Sequence, residues 1–272
     1  MGEFRYEGHR ISYDVYGEGE RLIVLVHGLL MNRRMFDRLA PELASRGNRV
    51  VTVDMLGHGR SDRPEDLRLY SMPQFARQLV GLLVHLGEEQ AVVGGTSLGA
   101  NIALELAVHH PDRARALFVE MPVLDNALSA VAGFFTPVLL GLKFGRPVFE
   151  GVSLLTRAIP RTTYLADVAL DWVRQRPGPS QAVLEGLLLG ETAPHREERV
   201  KIEHETLIVG HPRDPLHPFS DSGMLLEELP NARLVEADSI LEWRLQPERL
   251  NGELTDFLDE VWAPKLRAVA GG

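Results

Sequence analysis

The chain has 272 residues, 44% hydrophobic and 25% charged, enough to bury one sizeable core with room for an insertion. Its 29 Lys and Arg against 38 Asp and Glu give a formal net charge of −9, which offers no general attraction to nucleic acid or anionic lipid and favours a neutral or cationic small molecule as partner. It has no cysteine, so disulfides, thiolate catalysis and cysteine-based metal sites are excluded.

At the N-terminus, Met1-Gly2-Glu3-Phe4-Arg5-Tyr6 carries acid and base where a signal peptide needs an apolar run, so a cytoplasmic location is expected. Short apolar runs then alternate with amphipathic segments, with no internal repeat, and this rhythm predicts an α/β fold built on a mostly parallel sheet. Two short strands are expected between Arg5 and Tyr16, joined at Glu7-Gly8-His9. A buried strand follows at Leu22–Val26, a helix over Arg33–Ala44, a strand at Arg49–Val53 and a helix over Met72–Leu86. Next come a strand at Ala91–Val93, a helix over Leu98–His109 and a strand at Leu117–Val119.

From about Val123 to Gly190 the strand pattern stops, and Phe134, Phe135, Leu139, Leu140, Phe144 and Phe149 crowd together. This reads as a helical insertion. Lys143, Arg146 and Gly-Pro breaks interrupt it well before the ~20 apolar residues of a membrane span, so no span is predicted. Strands at Thr206–Val209 and Ala232–Val235 and helices over Ser220–Leu229 and Pro247–Trp262 resume the alternation. The expected organisation is therefore a core of residues 1–122 and 194–272 interrupted by an insertion of residues 123–193.

The segment Val92-Val93-Gly94-Gly95-Thr96-Ser97-Leu98-Gly99-Ala100-Asn101 runs from an apolar strand through Gly-x-Ser-x-Gly into a helical pattern. Glycines at 95 and 99 permit the sharp strand-to-helix turn that lifts a serine hydroxyl above a sheet beside backbone N–H groups. Two further motifs precede it, Val26-His27-Gly28-Leu29-Leu30 and Asp54-Met55-Leu56-Gly57-His58-Gly59-Arg60-Ser61, each directly after a predicted strand.

With these three motifs in order, nearly the whole chain resembles the α/β-hydrolase superfamily. The resemblance implies the α/β-hydrolase fold, a mostly parallel central sheet flanked by helices, with the insertion as a helical cap over the pocket. It implies Ser97 as nucleophile and an oxyanion hole formed by the N–H groups of Leu29, which follows Gly28, and Leu98. It also implies an acid after the penultimate strand, where Asp214 stands in Gly210-His211-Pro212-Arg213-Asp214-Pro215-Leu216-His217-Pro218. An Asp in such a proline-containing turn has a second reading, as a turn initiator. Glu120 and Asp125, after the preceding strand, are weaker candidates.

The histidine is where the chain departs from the pattern. Val235 to Glu248 holds no histidine, although the family places its general base after the last strand. A triad stripped of a member keeps only about 10³–10⁴-fold catalysis over water, so a substitute is needed. Glu242 is the first choice, its ordinary pKa near 4.3 being raised by apolar Leu241 and Trp243 and by repulsion from Asp214. His217, three residues beyond Asp214, is the second, against a role packed on Pro218. His27 and His58 are expected to brace loops, His195 is an outsider, and His85, His109 and His110 belong to helices. The His211, Asp214 and His217 spacing lies in a proline-interrupted loop and is not read as a metal site.

The sequence thus predicts a serine hydrolase acting on a lipophilic ester, thioester or lactone through an acyl-enzyme at Ser97, with an atypical base and no cofactor. Two alternatives stay open at this point: a catalytically decayed binding module for a hydrophobic small molecule, and a lyase or isomerase in which the oxyanion hole holds an enolate.

Overall fold

The computed structural model describes residues 1–263. Its strands are β1 (Gly2–Tyr6), β2 (His9–Tyr16), β3 (Arg21–Val26), β4 (Asn48–Asp54), β5 (Ala91–Thr96), β6 (Ala114–Glu120), β7 (Thr206–Gly210) and β8 (Ala232–Glu236). They form one sheet in the order β1-β2-β4-β3-β5-β6-β7-β8. β1 pairs antiparallel with β2 and β2 with β4, while every pairing from β4 to β8 is parallel. The β1–β2 hairpin closes at Glu7 and Gly8, both at positive φ (47° and 83°), the conformation that matches the twist of paired strands.

Helices α1 (Leu39–Ser45), α2 (Met72–Leu86) and α3 (Leu98–His109) belong to the first half. α4 (Leu128–Phe144), α5 (Arg146–Arg157), α6 (Tyr164–Val173) and α7 (Pro177–Leu188) form the insertion between β6 and β7. α8 (Arg196–Arg199), α9 (Phe219–Glu228), α10 (Glu242–Leu245) and α11 (Glu248–Trp262) complete the described chain. The boundaries of α2 follow from local chemistry. The Ser71 hydroxyl caps its start by accepting from the Gln74 amide, Pro73 sits in the first turn, and Gly87 in the left-handed region (φ 72°) ends it.

The helix expected over Arg33–Ala44 is broken instead. A 3₁₀ turn spans Arg33–Phe36 and α1 starts at Leu39, because a continuous helix would drive the Pro41 ring into the Asp37 carbonyl. The other predicted elements are present, the strands mostly one to three residues longer at an end than the apolar runs suggested. The part of the predicted core at residues 264–272 lies outside the described residues.

Alternate residues of β3 feed two cores. Leu22, Val24 and Val26 pack with Phe75, Leu79 and Ile102 of α2 and α3, whereas Ile23 and Leu25 pack with Leu43, Leu254 and Leu258 of α1 and α11. Both faces of the parallel strands are therefore covered. In the inserted block α7 is largely buried, but Val148, Leu154 and Leu155 of α5 are exposed. No single helix among the described residues is long and apolar enough to cross a membrane.

Two side chains pin the block to the core. The Asn101 amide donates to the carbonyls of Val123 (2.7 Å) and Thr192 (2.6 Å), one on each side of the insertion. The Asp221 carboxylate accepts from the amides of Leu124, Asn126 and Ala127 at 2.7–3.1 Å.

β5, α3 and β3 meet at very close quarters. A Cβ on Gly95 or on Gly99 would lie 2.0 Å from the same Val26 carbonyl oxygen, so backbone occupies the space any side chain needs. Gly99→Ala is expected to lower the unfolding free energy by about 1–3 kcal/mol or more by overpacking this crossing. Gly133→Ala on α4, where nothing lies within 4 Å, should be neutral or mildly stabilising. Urea midpoints of the two variants check both outcomes.

Candidate active site

Ser97 is the single residue between the end of β5 and the start of α3, at φ 54° and ψ −109°. A non-glycine side chain held there costs on the order of 1–3 kcal/mol and persists only because its surroundings fix it. Its amide donates to the Glu120 carbonyl (2.8 Å), which extends the β5–β6 pairing, and its own carbonyl accepts from Asn101. Leu98 opens α3, where the first N–H groups have no partner within the helix. Leu29 and Leu98 border the same ≈ 40 Å³ cavity as Ser97 and His217, a space for a few waters at most. Gly28 is held from both sides, its amide on Met35 Sδ (3.4 Å) and its carbonyl accepting from the Met31 amide (3.0 Å).

His217 is the side chain that reaches the serine, with Nε2 2.9 Å from Ser97 Oγ. Its Nδ1 lies 3.0 Å from Asp214 Oδ2. An ionised carboxylate only accepts, so Nδ1 carries the proton and Nε2 is left to accept from the serine hydroxyl. The loop between β7 and α9 achieves this within four residues. Arg213 adopts a left-handed φ of 61° just before Asp214, Pro215 keeps Asp214 out of helical geometry, and Asp214 Oδ1 accepts from the amides of Leu216 (2.8 Å) and His217 (3.0 Å). Asp214 is thus at once the turn initiator and the partner of the imidazole. Burial pushes its carboxyl upward, but the hydrogen bond and charge of the His217 ring, with the two amides, hold it below the ordinary carboxylate range.

Of the two expected substitute bases, His217 is the one hydrogen-bonded to Ser97. Glu242 is turned into an ion pair, with Oε1 accepting from Arg249 Nε (2.8 Å) and Oε2 from an Arg249 terminal nitrogen (2.7 Å) and from the Asp238 amide. Its carboxyl is lowered, not raised, because these bonds outweigh the upward push of burial. The apolar neighbour invoked for it, Trp243, faces Phe118 (ring centroids 5.2 Å) and donates to Asn251. The sequence signal for the ion pair was Arg249, two residues beyond Pro247 and seven beyond Glu242.

A second polar cluster lies directly behind the elbow. Glu120, at the end of β6 and 1% exposed, takes His211 Nε2 at 3.1 Å, an Arg244 guanidinium nitrogen at 2.9 Å and the hydroxyl of Thr96, the residue before Ser97. His211 Nδ1 donates to the Ser239 carbonyl (3.0 Å). The segment after β8, where the resemblance expects a histidine, thus delivers Arg244 to the elbow. Burial alone would raise Glu120, yet Arg244 and His211 bring it down to about 2. Burial lowers His211, and Glu120 more than restores it, so its pKa is raised.

The remaining candidates take other places. His27 bridges loops through the Gly28 carbonyl (2.8 Å) and the Met55 amide (3.1 Å). His58 bonds the Leu56 carbonyl (3.0 Å), its ring 4.7 Å from that of His27. Burial lowers both pKa values. His85 bonds Tyr13, His109 faces Glu105, and His195 pairs with Glu191. Asp125 lies 3.5 Å from Arg199. His211 is committed to Glu120 while Asp214 and His217 face each other, so the three do not converge.

Comparison with known proteins agrees with the fold. A family model described as the alpha/beta hydrolase fold matches residues 21–136. A 2-hydroxymuconate semialdehyde hydrolase of Pseudomonas sp. strain CF600 is 31% identical over 239 residues, covering 83% of this chain and 81% of the relative. The chain belongs to the α/β-hydrolase family. It is a hydrolase. The pimeloyl-[acyl-carrier protein] methyl ester esterase of Aeromonas hydrophila is 29% identical, covering 83% of this α/β-hydrolase and 89% of that protein. The enol-lactonase of Burkholderia xenovorans LB400 superposes with a TM-score of 0.76 at 22% identity, covering 94% of this chain and 99% of that one.

The charged pair behind the elbow gives a pH signature. A raised His211 stabilises the fold fully below its ordinary value of 6.5, and that contribution is lost as pH rises through the raised value. The lowered Glu120 contributes above its ordinary 4.5 and fades only as pH falls toward about 2. The Tm difference between the native protein and His211→Gln is therefore expected to be greatest at about pH 5–6 and to shrink toward about pH 9. Thermal melts across that range check it, and a gap independent of pH contradicts it.

Proposed function

We propose that this hydrolase cleaves a lipophilic carboxylic ester, thioester or lactone by acyl transfer through Ser97, with His217 as general base and Asp214 orienting it. The observation that carries the reading is the continuous chain Asp214 Oδ2, His217 Nδ1, His217 Nε2, Ser97 Oγ, with contacts of 3.0 and 2.9 Å. His217 Nε2 takes the hydroxyl proton as Oγ attacks the carbonyl carbon. The N–H groups of Leu29 and Leu98 hold the oxyanion, and the imidazolium returns its proton to the leaving oxygen or sulfur. Water then enters, gives a proton to His217 and attacks the acyl-enzyme, and the acid leaves as Ser97 regains its hydrogen.

The apolar preference rests on what surrounds the nucleophile. Met72, Val131, Phe135 and Leu187 border the cavity at Ser97, and such walls stabilise an acyl chain by removing it from water. We assign the cap role to α4–α7, within residues 123–193. The cavity at Ser97 adjoins a larger one of ≈ 350 Å³ that shares Val131, Leu188 and Thr192 with it, room for an acyl group beneath this block. Ester and lactone chemistry also stands in the names of two similar proteins, the Aeromonas esterase and the Burkholderia enol-lactonase. The alternative of a decayed binding module rested on a missing base, and the His217 ring 2.9 Å from Ser97 Oγ supports turnover over it.

Hydrolysis of p-nitrophenyl butyrate and octanoate tests the assignment. Ser97→Ala and His217→Ala are expected to lose about 10⁴-fold or more in kcat, with Asp214→Asn close behind. Glu242→Gln should retain turnover. Full activity in His217→Ala, or its loss in a folded Glu242→Gln protein, would overturn the assignment.

A further inference from the structure

The net charge of −9 hides a local surplus of the opposite sign. Between the inserted block and the sheet lies an open cleft of ≈ 680 Å³ bordered by six arginines, Arg33, Arg34, Arg60, Arg63, Arg161 and Arg174, and by four aspartates. Arg33 is spoken for by Asp14 (2.6 Å) and Asp54, and it is 4% exposed. Arg34 and Arg161 share Asp171 at 3.4 and 2.9 Å, and Arg34 also faces Asp37 at 3.4 Å. Every aspartate of the cleft is thereby used.

Three guanidinium groups remain without a carboxylate among the described residues. Arg63 donates to the Gln175 side-chain oxygen (3.2 Å) and to the Gly59 carbonyl. Arg174 donates to the carbonyls of Thr156 (2.6 Å) and Ile159 (2.6 Å). The Arg60 guanidinium donates to Met1 Sδ (2.8 Å). Neutral carbonyl and amide oxygens solvate these cations without cancelling their charge. Burial, followed by the field of Arg176 and, more weakly, that of Arg157, accordingly pushes the Arg63 pKa down despite Asp54. A half-buried cation among like charges is where a bound anion is stabilised most.

The cleft also has an apolar neighbour. Gln175, which accepts from Arg63, donates to the Leu30 carbonyl (3.0 Å). Gln175 and Leu30 both border a second cavity of ≈ 200 Å³ walled by Leu142, Phe149, Val152 and Trp172. A charged compartment and a greasy one thus meet at a single glutamine.

We propose that this cleft binds the anionic head, phosphate or carboxylate, of an amphiphilic ligand whose apolar part lies in the adjoining cavity, with Arg60, Arg63 and Arg174 as the ligating side chains. The planar guanidinium forks suit bidentate contact with either head group. The proposal stands apart from the role of Ser97, because it concerns binding and requires no turnover.

Isothermal titration of the native protein with octyl phosphate and with octanoate tests it, the tighter-binding probe naming the head group. Binding is expected to weaken as salt rises. In Arg63→Gln and in Arg60→Gln it should fall by about tenfold or more, as loss of a charge-assisted hydrogen bond requires. Arg60 is exposed, so its variant keeps the test valid if Arg63→Gln does not fold. Arg68→Gln, outside the cleft and paired with Asp66 at 2.6 Å, should bind as the native protein does. Failure of both probes to bind, or undiminished binding in the folded Arg60 and Arg63 variants, would overturn the proposal.

Discussion

The carboxylate of Glu120 sits where three other pieces of chain meet the end of β6, and each approaches it with a hydrogen-bond donor. Thr96 comes from the elbow, His211 from the root of the loop carrying Asp214 and His217, and Arg244 from the segment after β8. The Glu120 carbonyl holds the Ser97 amide as well. A buried carboxylate of this kind is costly unless its lone pairs are filled, and filling them fixes the relative position of every donor. Ser97 can keep its strained conformation because the strand before it is bonded to a residue that cannot move without uncovering a charge.

That anchoring also bears on how Asp214 and His217, three residues apart, are held together against Ser97. Both residues lie on one turn, so their mutual geometry is set locally by two backbone amides and by Pro215. What remains to be fixed is the position of the whole turn against α3. His211 supplies it at one end, through Glu120 and the Ser239 carbonyl. At the other end α9 is tied by Asp221 to the start of the inserted block. In the segment after β8, Arg244 pairs with Glu120 and Glu242 pairs with Arg249.

Much of the fold was legible in the sequence because strand runs such as Leu22–Val26 and helix signals such as Ser71, Pro73 and Gly87 act locally. The break at Asp37 was missed, although Pro41 announces it to anyone asking which carbonyl its ring would strike. Ser97, Leu29, Leu98 and Asp214 were placed by short motifs whose backbone demands are strong. The contact of His217 with Ser97 was not legible, for a different reason. Position along the chain was used as a proxy for proximity, whereas a compact Asp-Pro-Leu-His turn brings its last side chain back onto its first. The Glu120 cluster and the unpaired arginines were illegible, since each joins residues many tens of positions apart and no periodicity records such a meeting.

The central claim is that His217 activates Ser97. Fluorophosphonate labelling followed by peptide mapping reads that activation without knowledge of the substrate. The account predicts rapid modification confined to Ser97 in the native protein and in Glu242→Gln, and very slow modification in His217→Ala. Undiminished labelling of Ser97 in His217→Ala would contradict it, and the serine would then draw its reactivity from some other group.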